Sequence, residues 1–297
     1  MFMKKIAVLL AVYNGESWLT EQIDSVLRQK DVDVSLFISV DLSDDKSFEL
    51  CSNLSRLDHR VTVLPYGERF GGAGKNFFRL MLDVEISEFD YISFADQDDI
   101  WFEDKLSRAC KFLRNYDAYS SNVIAFWTTG KEILIDKAQN QVEFDYLFES
   151  AGPGCTFVFN KKCGNLFKNF LRENYSKTQN IALHDWLLYA FARANDLSWF
   201  IDSRPSMYYR QHENNQVGAN NSFKAIIKRL ILIRSHWYSN EINKIVELLP
   251  WVDIPFRENL KSKEYFSRLK VIWYIKNIRR KTIDRFFLSV VILLGFF

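Results

Sequence analysis

The sequence predicts an α/β protein with a mixed, mainly parallel sheet flanked by helices, and three observations carry that prediction. Short apolar runs rich in β-branched and aromatic residues alternate with segments whose apolar residues recur at helical spacing. The runs are uniformly apolar, as expected of strands covered on both faces. Polar residues suited to chemistry (Asn14, Asp41 and the trio Asp96, Asp98 and Asp99) stand just after three of those runs. A parallel sheet gathers such positions on one rim, where ligands bind.

Taken in order, IAVLLAV (6–12) is the first strand, punctuated by Asn14 and Gly15. Leu19, Ile23, Val26 and Leu27 then mark a helix. VSLFISV (34–40) and RVTVLPY (60–66) are the next strands, and NFFRLML (76–82) is helical. YISFA (91–95) runs into the aspartates. In the following helix Leu106, Cys110 and Leu113 face inward, with Lys105, Arg108, Lys111 and Arg114 in solvent. Past residue 120 the alternation loosens. VIAFW (123–127) and GCTFVFN (154–160) read as strands, and IALHDWLLYAFARAND (181–196) reads as a helix. From about residue 223 the chain is helical, basic and rich in aromatics.

With 297 residues, 48% of them apolar, the chain can build a sizeable core, and global disorder is excluded. The net charge of +2 conceals an asymmetry. From Lys224 onward there are fifteen Lys/Arg against six Asp/Glu, net +9; the rest has 24 against 31, net −7. A basic segment this marked points to an anionic partner. Membrane lipid fits it better than nucleic acid, for which no motif is present. Cys51, Cys110, Cys155 and Cys163 form no C-x-x-C pair, which argues against structural zinc and for reduced thiols in the cytosol. The opening MFMKKIAVLLAVYNG imitates a signal peptide, but no small-residue cleavage pattern follows, so it is read as the first strand.

Three carboxylates within four positions repel one another and raise each other's pKa, so the stretch FADQDDIW calls for a counter-charge. A calcium loop of the EF-hand type fails. Counted from Asp96, the positions that need an acid or amide, glycine and glutamate hold Ile100, Trp101 and Ser107. Besides a merely solvated acidic loop, two readings remain: a phosphatase with Asp96 as nucleophile, and a site for a divalent cation with a diphosphate. RFGGAGKNFF is not a P-loop, because Arg69 stands where the first glycine belongs and Asn76 where Ser or Thr belongs. Asp185, at the start of an apolar helix, suits the N-terminal dipole either as a cap or as a functional acid. His212 is a lone histidine in a polar segment.

In this order the pieces resemble family 2 glycosyltransferases, nearest to the bacterial polysaccharide branch of rhamnosyltransferase-like enzymes. The resemblance rests on VLLAVYNGESWLTEQIDSVLRQ, SVDLSDDKS, KNFFRL, SFADQDDIWFEDKL, GPGCTFVFN, LHDWLLYAFA and YYRQHENNQVGA, and covers about residues 4–220. It implies the GT-A fold, which is Rossmann-like. A catalytic domain would span 1–222, with a nucleotide-sugar half to about 120 and an acceptor half from 121. A basic, helical, membrane-associating tail would span 223–297.

The resemblance also implies roles. Ala11, Tyr13, Asn14, Glu16, Asp41, Lys75, Asp96 and Gln97 would bind the nucleotide sugar. Asp98, with Asp96 and His212, would hold Mg2+ or Mn2+. Asp185 would be the catalytic base, and Gly154, Cys155, Thr156, His184 and Trp186 would border the acceptor. The implied reaction is inverting transfer of rhamnose, a hexose or an N-acetylhexosamine from a dTDP- or UDP-sugar to a hydroxyl of a growing, lipid-linked surface polysaccharide. The setting would be the inner face of the plasma membrane. A sugar-nucleotide-binding module without activity is the non-enzymatic alternative. Two departures bear on nucleotide recognition: the usual DDGS is VDLS (40–43), and Arg69 replaces an Asn of an N-x-G turn.

The tail mixes Phe266, Leu269, Ile272, Trp273 and Ile275 with seven basic residues, and ends in FFLSVVILLGFF. Twelve apolar residues fall short of the roughly 20 needed to cross a bilayer. The composition suits a helix lying at an interface, or one packed on protein.

Overall fold

The computed structural model describes residues 3–212, 231–262 and 264–297. Residues Glu213–Ala219 of the YYRQHENNQVGA stretch, and the expected boundary at 222, lie outside them.

A seven-stranded sheet organises the chain. Its central strands are β1 (Lys4–Val12), β2 (Val32–Val40), β3 (Val61–Val63) and β4 (Tyr91–Ala95), in the order β4-β1-β2-β3 and all parallel. A second sheet contains β5 (Ile100–Trp101) and β7 (Val123–Phe126), paired with β8 (Glu132–Ile135) and a late strand. The large sheet continues through β6 (Ala118–Ser121), β9 (Val158–Asn160) and β10 (Trp199–Asp202), and β9 runs antiparallel to both its neighbours. The late strand of the small sheet is β11 (Met207–Arg210), which pairs with β5 and β7.

The reason β1 is apolar throughout is visible in its packing. Ile6, Val8, Leu10 and Val12 enter one core, beneath α1 (Leu19–Leu27), α2 (Ser47–Leu57) and α4 (Lys105–Phe112). Leu9 and Ala11 enter a second core on the opposite face, under α3 (Ala73–Asp83), α5 (Lys161–Glu173) and α7 (His184–Ala194), with the short α6 (Tyr175–Thr178) between the last two. Successive residues of a strand face opposite ways, so a strand covered on both sides needs apolar residues at every position. In register, Val12 stands beside Val40 and Leu10 beside Ala95, which brings the residues after β1, β2 and β4 onto one rim.

Three expectations are corrected. In GCTFVFN only Val158–Asn160 is strand; Gly154–Thr156 is a 3-10 turn, a shape set by its contact with α7. RVTVLPY contributes only Val61–Val63 to the sheet, paired with Leu36–Ile38 of β2 and ending short of Pro65, whose fixed φ and missing N–H suit the end of an edge strand. Lys105 and Arg108 are buried, whereas Lys111 and Arg114 are in solvent. Arg108 pairs with Asp202 at 3.1 Å.

The C-terminal helices α8 (Trp237–Leu248), α9 (Tyr265–Trp273), α10 (Ile275–Ile278) and α11 (Thr282–Leu293) share the second core. Ile242, Phe256, Val271, Ile278 and Ile292 are buried there with Phe148 and Trp186. One side of the tail is thus packed on the α/β unit.

Candidate active site

The rim is built by side chains that lock neighbouring loops. Tyr13 N–H donates to Gln97 Oε1 at 2.7 Å, and Gln97 Nε2 donates back to Tyr13 O at 2.9 Å. This pair ties the end of β1 to the aspartate loop. Gly15 makes the approach possible, since a Cβ there would lie 2.5 Å from Gln97 Oε1. Asn14, at φ 48°, accepts from Asp44 N at 2.9 Å, and Glu16 N donates to Asp45 at 3.0 Å. Tyr13 remains exposed, with Arg69 near its hydroxyl at 3.4 Å. Ala11 is buried in the strand, and Lys75 is half-buried in the first turn of α3.

Asp41 is buried, and both its oxygens are engaged. Oδ1 accepts from Leu42 N and Phe70 N, each at 2.8 Å, and Oδ2 accepts from Gly71 N at 3.0 Å. Its evident work is to hold the 69–71 loop against the sheet, whatever it also offers a nucleotide.

The three aspartates occupy different surroundings. Asp98 Oδ2 meets His212 Nε2 at 2.6 Å, and the imidazole stacks on Trp18 with centroids 4.3 Å apart. Arg210 Nε donates to Asp98 O at 2.8 Å and its N–H approaches Asp99 Oδ1 at 3.3 Å, so β11 is fastened along the loop. Asp99 is fully buried, with Oδ2 lacking a hydrogen-bond partner. Burial, followed by the charges of Asp98 and Asp96, raises its pKa well above the usual carboxylate range. Asp96 is pushed up to about 7 by burial, then by the charges of Asp98 and Asp185.

Oxygens of Asp96 and Asp99 lie within 4.8 Å of each other and of Cys155 Sγ. That inner triangle does not suit Mg2+ or Mn2+. Burial and both carboxylates drive the Cys155 thiol far above its ordinary pKa, and a protonated thiol is no ligand. An amine is also already resident on this side. Lys105 Nζ donates to Cys155 O at 2.5 Å and lies 3.1 Å from the centroid of the Trp101 ring. Burial lowers its pKa to about 7, against the pull of Cys155, Asp99 and Asp96. Asp98 and His212, which stand outside that triangle, and Asp96, which belongs to it, offer carboxylate and imidazole donors, a set that fits a hard divalent cation.

Asp185 opens α7. Its Oδ1 accepts from Trp186 N at 2.8 Å, and the Ser150 hydroxyl, which donates to Gly152 O at 3.0 Å, stands near enough to lower its pKa. Burial outweighs both and raises the carboxyl to about 6. Gly154 packs on this corner: a Cβ there would lie 2.6 Å from His184 Nε2 and 2.9 Å from Asp185 Cβ. His184 is buried between Phe77, stacked at 3.8 Å, and Phe94. Burial lowers its pKa to about 3, so it is neutral.

The structure therefore gathers Gly154, His184 and Asp185, while three neighbours turn inward. Cys155 is buried beneath the aspartates, and Thr156 Oγ1 donates to Pro153 O at 2.7 Å. Trp186 is buried, donating to Tyr146 O at 2.9 Å. In this arrangement those side chains support the corner of Gly154 and Asp185 from within rather than bordering open space.

A further support comes from the tail. Arg280 N–H donates to Glu149 Oε1 at 2.8 Å, and its Nη2 reaches Glu149 Oε2 at 3.1 Å and Ser150 O at 2.6 Å. Arg279 Nη1 donates to Phe148 O at 2.8 Å. The loop of Phe148, Glu149 and Ser150 is thus held by residues of the C-terminal segment.

The comparisons with known proteins follow this geometry. The model of "Glycosyl transferase family 2" matches residues 7–170. The chain is 48% identical over 291 residues to the dTDP-rhamnosyl transferase RfbG of Shigella flexneri, covering 97% of this chain and 100% of that one. The chain belongs to glycosyl transferase family 2. Being a family 2 glycosyltransferase of the rhamnosyltransferase-like kind, it is neither the phosphatase nor the inactive binding module that the sequence left open. Solved GT-A enzymes share its fold. Staphylococcus aureus TarS 1-349 in complex with UDP-GlcNAc superposes with a TM-score of 0.60 at 14% identity, covering 98% of this chain and 80% of that one. The mannosyltransferase PcManGT of Pyrobaculum calidifontis, in complex with GDP-Man and Mn2+, gives 0.53 at 14%, covering 93% and 73%.

Sequence reasoning missed Trp18, Lys105, Arg210, Ser150 and the Glu149–Arg280 pair. Lys105 left a signal in DDIWFEDKL, four residues after a tryptophan: Trp101 ends β5, and a tight turn closed by Lys105 N on Phe102 O brings the lysine back to it. The others act through contacts far apart in the chain.

Proposed function

We propose that this glycosyltransferase moves rhamnose from dTDP-rhamnose, with inversion, to a hydroxyl of a growing, lipid-linked surface polysaccharide. The observation that carries the donor assignment is the near-full-length identity to a dTDP-rhamnosyl transferase. Asp185 is the general base. A carboxyl raised to about 6 remains largely ionised at neutral pH, yet binds a proton more readily than an ordinary aspartate. It takes the acceptor hydroxyl's proton as that oxygen attacks the anomeric carbon, and the dTDP departs from the opposite face. Such proton removal contributes roughly 10²- to 10⁴-fold.

Asp98, Asp96 and His212 would hold a divalent cation, and the chemistry such an ion supplies is stabilisation of the charge on the departing diphosphate. Trp18 fixes the His212 ring for that duty. The open rim at Tyr13, Asn14, Glu16 and Lys75 receives the nucleotide, with Asp41 and Gln97 fixing its loops. Gly154 and His184 shape the acceptor side. The enzyme works at the inner face of the cytoplasmic membrane, bound peripherally.

The deciding experiment incubates purified protein and Mn2+ with a panel of sugar nucleotides and a lipid-linked acceptor. dTDP release and rhamnosylated product are expected from dTDP-rhamnose alone. Transfer from a UDP-hexose in its place would overturn the donor assignment.

A further inference from the structure

Among the described residues, nineteen large hydrophobic side chains are exposed, and ten of them fall between Tyr265 and Phe296. They form stripes. On α9, Phe266, Leu269 and Trp273 follow helical spacing on the side away from buried Ser267 and Val271, with Phe266 81% and Trp273 84% exposed. On α11, Ile283, Phe286 and Phe287 stand out on the side away from buried Leu288 and Ile292. The two helices are tied together where the Arg268 guanidinium rests on Gly295, 2.8 Å from where a Cβ would be.

The charge around these stripes has one sign. From Tyr265 to Phe297 there are seven Lys/Arg and one acid, Asp284. Asp284 is engaged by Arg279 at 3.2 Å, and Arg280 is buried on Glu149. Arg268, Lys270, Lys276, Lys281 and Arg285 keep full or partial exposure. No helix among the described residues is long and apolar enough to cross a membrane.

We infer that the outward faces of α9 and α11 together form a docking surface for an anionic lipid bilayer, on which the two helices lie flat. Aromatic and aliphatic side chains enter the headgroup boundary, and the flanking lysines and arginines meet acidic headgroups. The same sign of charge disfavours a second copy of this chain as the occupant, because two such faces would repel.

The inference rests on the proposed function and deepens it by placing the acceptor side toward the lipid. The platform is fastened to the loop beside Asp185: Phe144 N donates to Asn277 O at 2.8 Å, and Arg279 and Arg280 hold Phe148 O and Ser150 O. A bilayer that receives α9 and α11 therefore lies a short, packed path from the base.

The test uses the full chain and sedimentation with phosphatidylcholine vesicles, with and without phosphatidylglycerol. Wild type is expected to pellet with the anionic vesicles, less so at high salt, and to stay in solution with neutral ones. The triple variant W273S/F286S/F287S is expected to lose binding by at least about tenfold, and K270E/K276E to lose the preference for anionic lipid. Both should keep wild-type thermal stability and dTDP-rhamnose hydrolysis, which reads the catalytic assignment separately. Wild type left in solution with anionic vesicles, or an apolar variant that pellets undiminished, overturns the inference. So does a dimer by light scattering that the triple variant dissolves, because the face would then belong to a second copy.

Discussion

Lys105 donates to the backbone carbonyl of Cys155 while its ammonium sits 3.1 Å from the centroid of the Trp101 ring, beneath the loop that carries the aspartates. The counter-charge that FADQDDIW calls for is therefore partly built in. Asp99 lies in reach of its field, fully buried, with one oxygen otherwise unpartnered. Lys105→Met should leave the Cys155 carbonyl without its donor and Asp99 without a polar neighbour, and cost about 1–3 kcal/mol of stability. Asp99→Asn in the same background should recover part of that loss, because the two substitutions remove partners of one interaction. Urea denaturation of the four proteins gives the coupling. A Lys105→Met chain as stable as wild type would show that the buried ammonium supports nothing.

The sheet was legible because a strand covered on both faces must be apolar throughout, and β1, β2 and β4 announce themselves that way. The rim followed from the parallel order alone. Lys105 was misread for a reason the sequence contains. Lys105, Arg108, Lys111 and Arg114 recur every third residue, a spacing that drifts backward around a helix, leaving the first and last about half a turn apart. They cannot share one solvent face. The 3-10 turn at Gly154 and the Glu149–Arg280 pair were illegible, because each is set by a partner distant in the chain.

Asp185→Asn should lower turnover by at least about 10²-fold while dTDP-rhamnose still binds, since the base acts on the acceptor. Wild-type turnover should rise with pH through about 6 as the carboxyl ionises. The stability effect has the opposite sign. A carboxyl whose pKa is raised on folding binds its proton more tightly in the native state, so ionising it costs stability as pH climbs from the unfolded value to about 6. Asn keeps the acceptor for Trp186 N without the charge, so at neutral pH the variant should gain about 1–3 kcal/mol, less for solvent screening. A dead variant that is also less stable would point to misfolding, and a fully active one would remove Asp185 from the chemistry.

Ser150 tunes that carboxyl. Its hydroxyl donates to Gly152 O at 3.0 Å and, standing near Asp185, favours the charged form. Ser150→Ala should therefore move the acidic limb of the pH–rate profile above the wild-type position, with turnover recovering at alkaline pH. Glu149→Gln weakens the pairing with Arg280 that holds this loop, and should raise KM for the acceptor more than for the donor. An unmoved limb in Ser150→Ala would disconnect the loop from the base.

The cation is expected at Asp98 and His212, with Asp96, rather than at the triangle of Asp96, Asp99 and Cys155. EDTA should abolish transfer, and Mn2+ or Mg2+ should restore it. Asp98→Asn should weaken Mn2+ binding by calorimetry outright. His212→Ala should raise the Mn2+ concentration needed for half-maximal rate by about 10- to 100-fold, and Trp18→Ala should do so more mildly, because it frees the imidazole it stacks on. Cys155→Ser and Cys155→Ala should leave the Mn2+ requirement unchanged, since a thiol kept protonated beneath Asp96 and Asp99 is no ligand. A Cys155→Ala enzyme that loses Mn2+ affinity as Asp98→Asn does would move the cation to the inner triangle. Lys105 would then have to be displaced or neutral whenever the cation is bound, which the Lys105→Met variant would report as tighter, not weaker, Mn2+ binding.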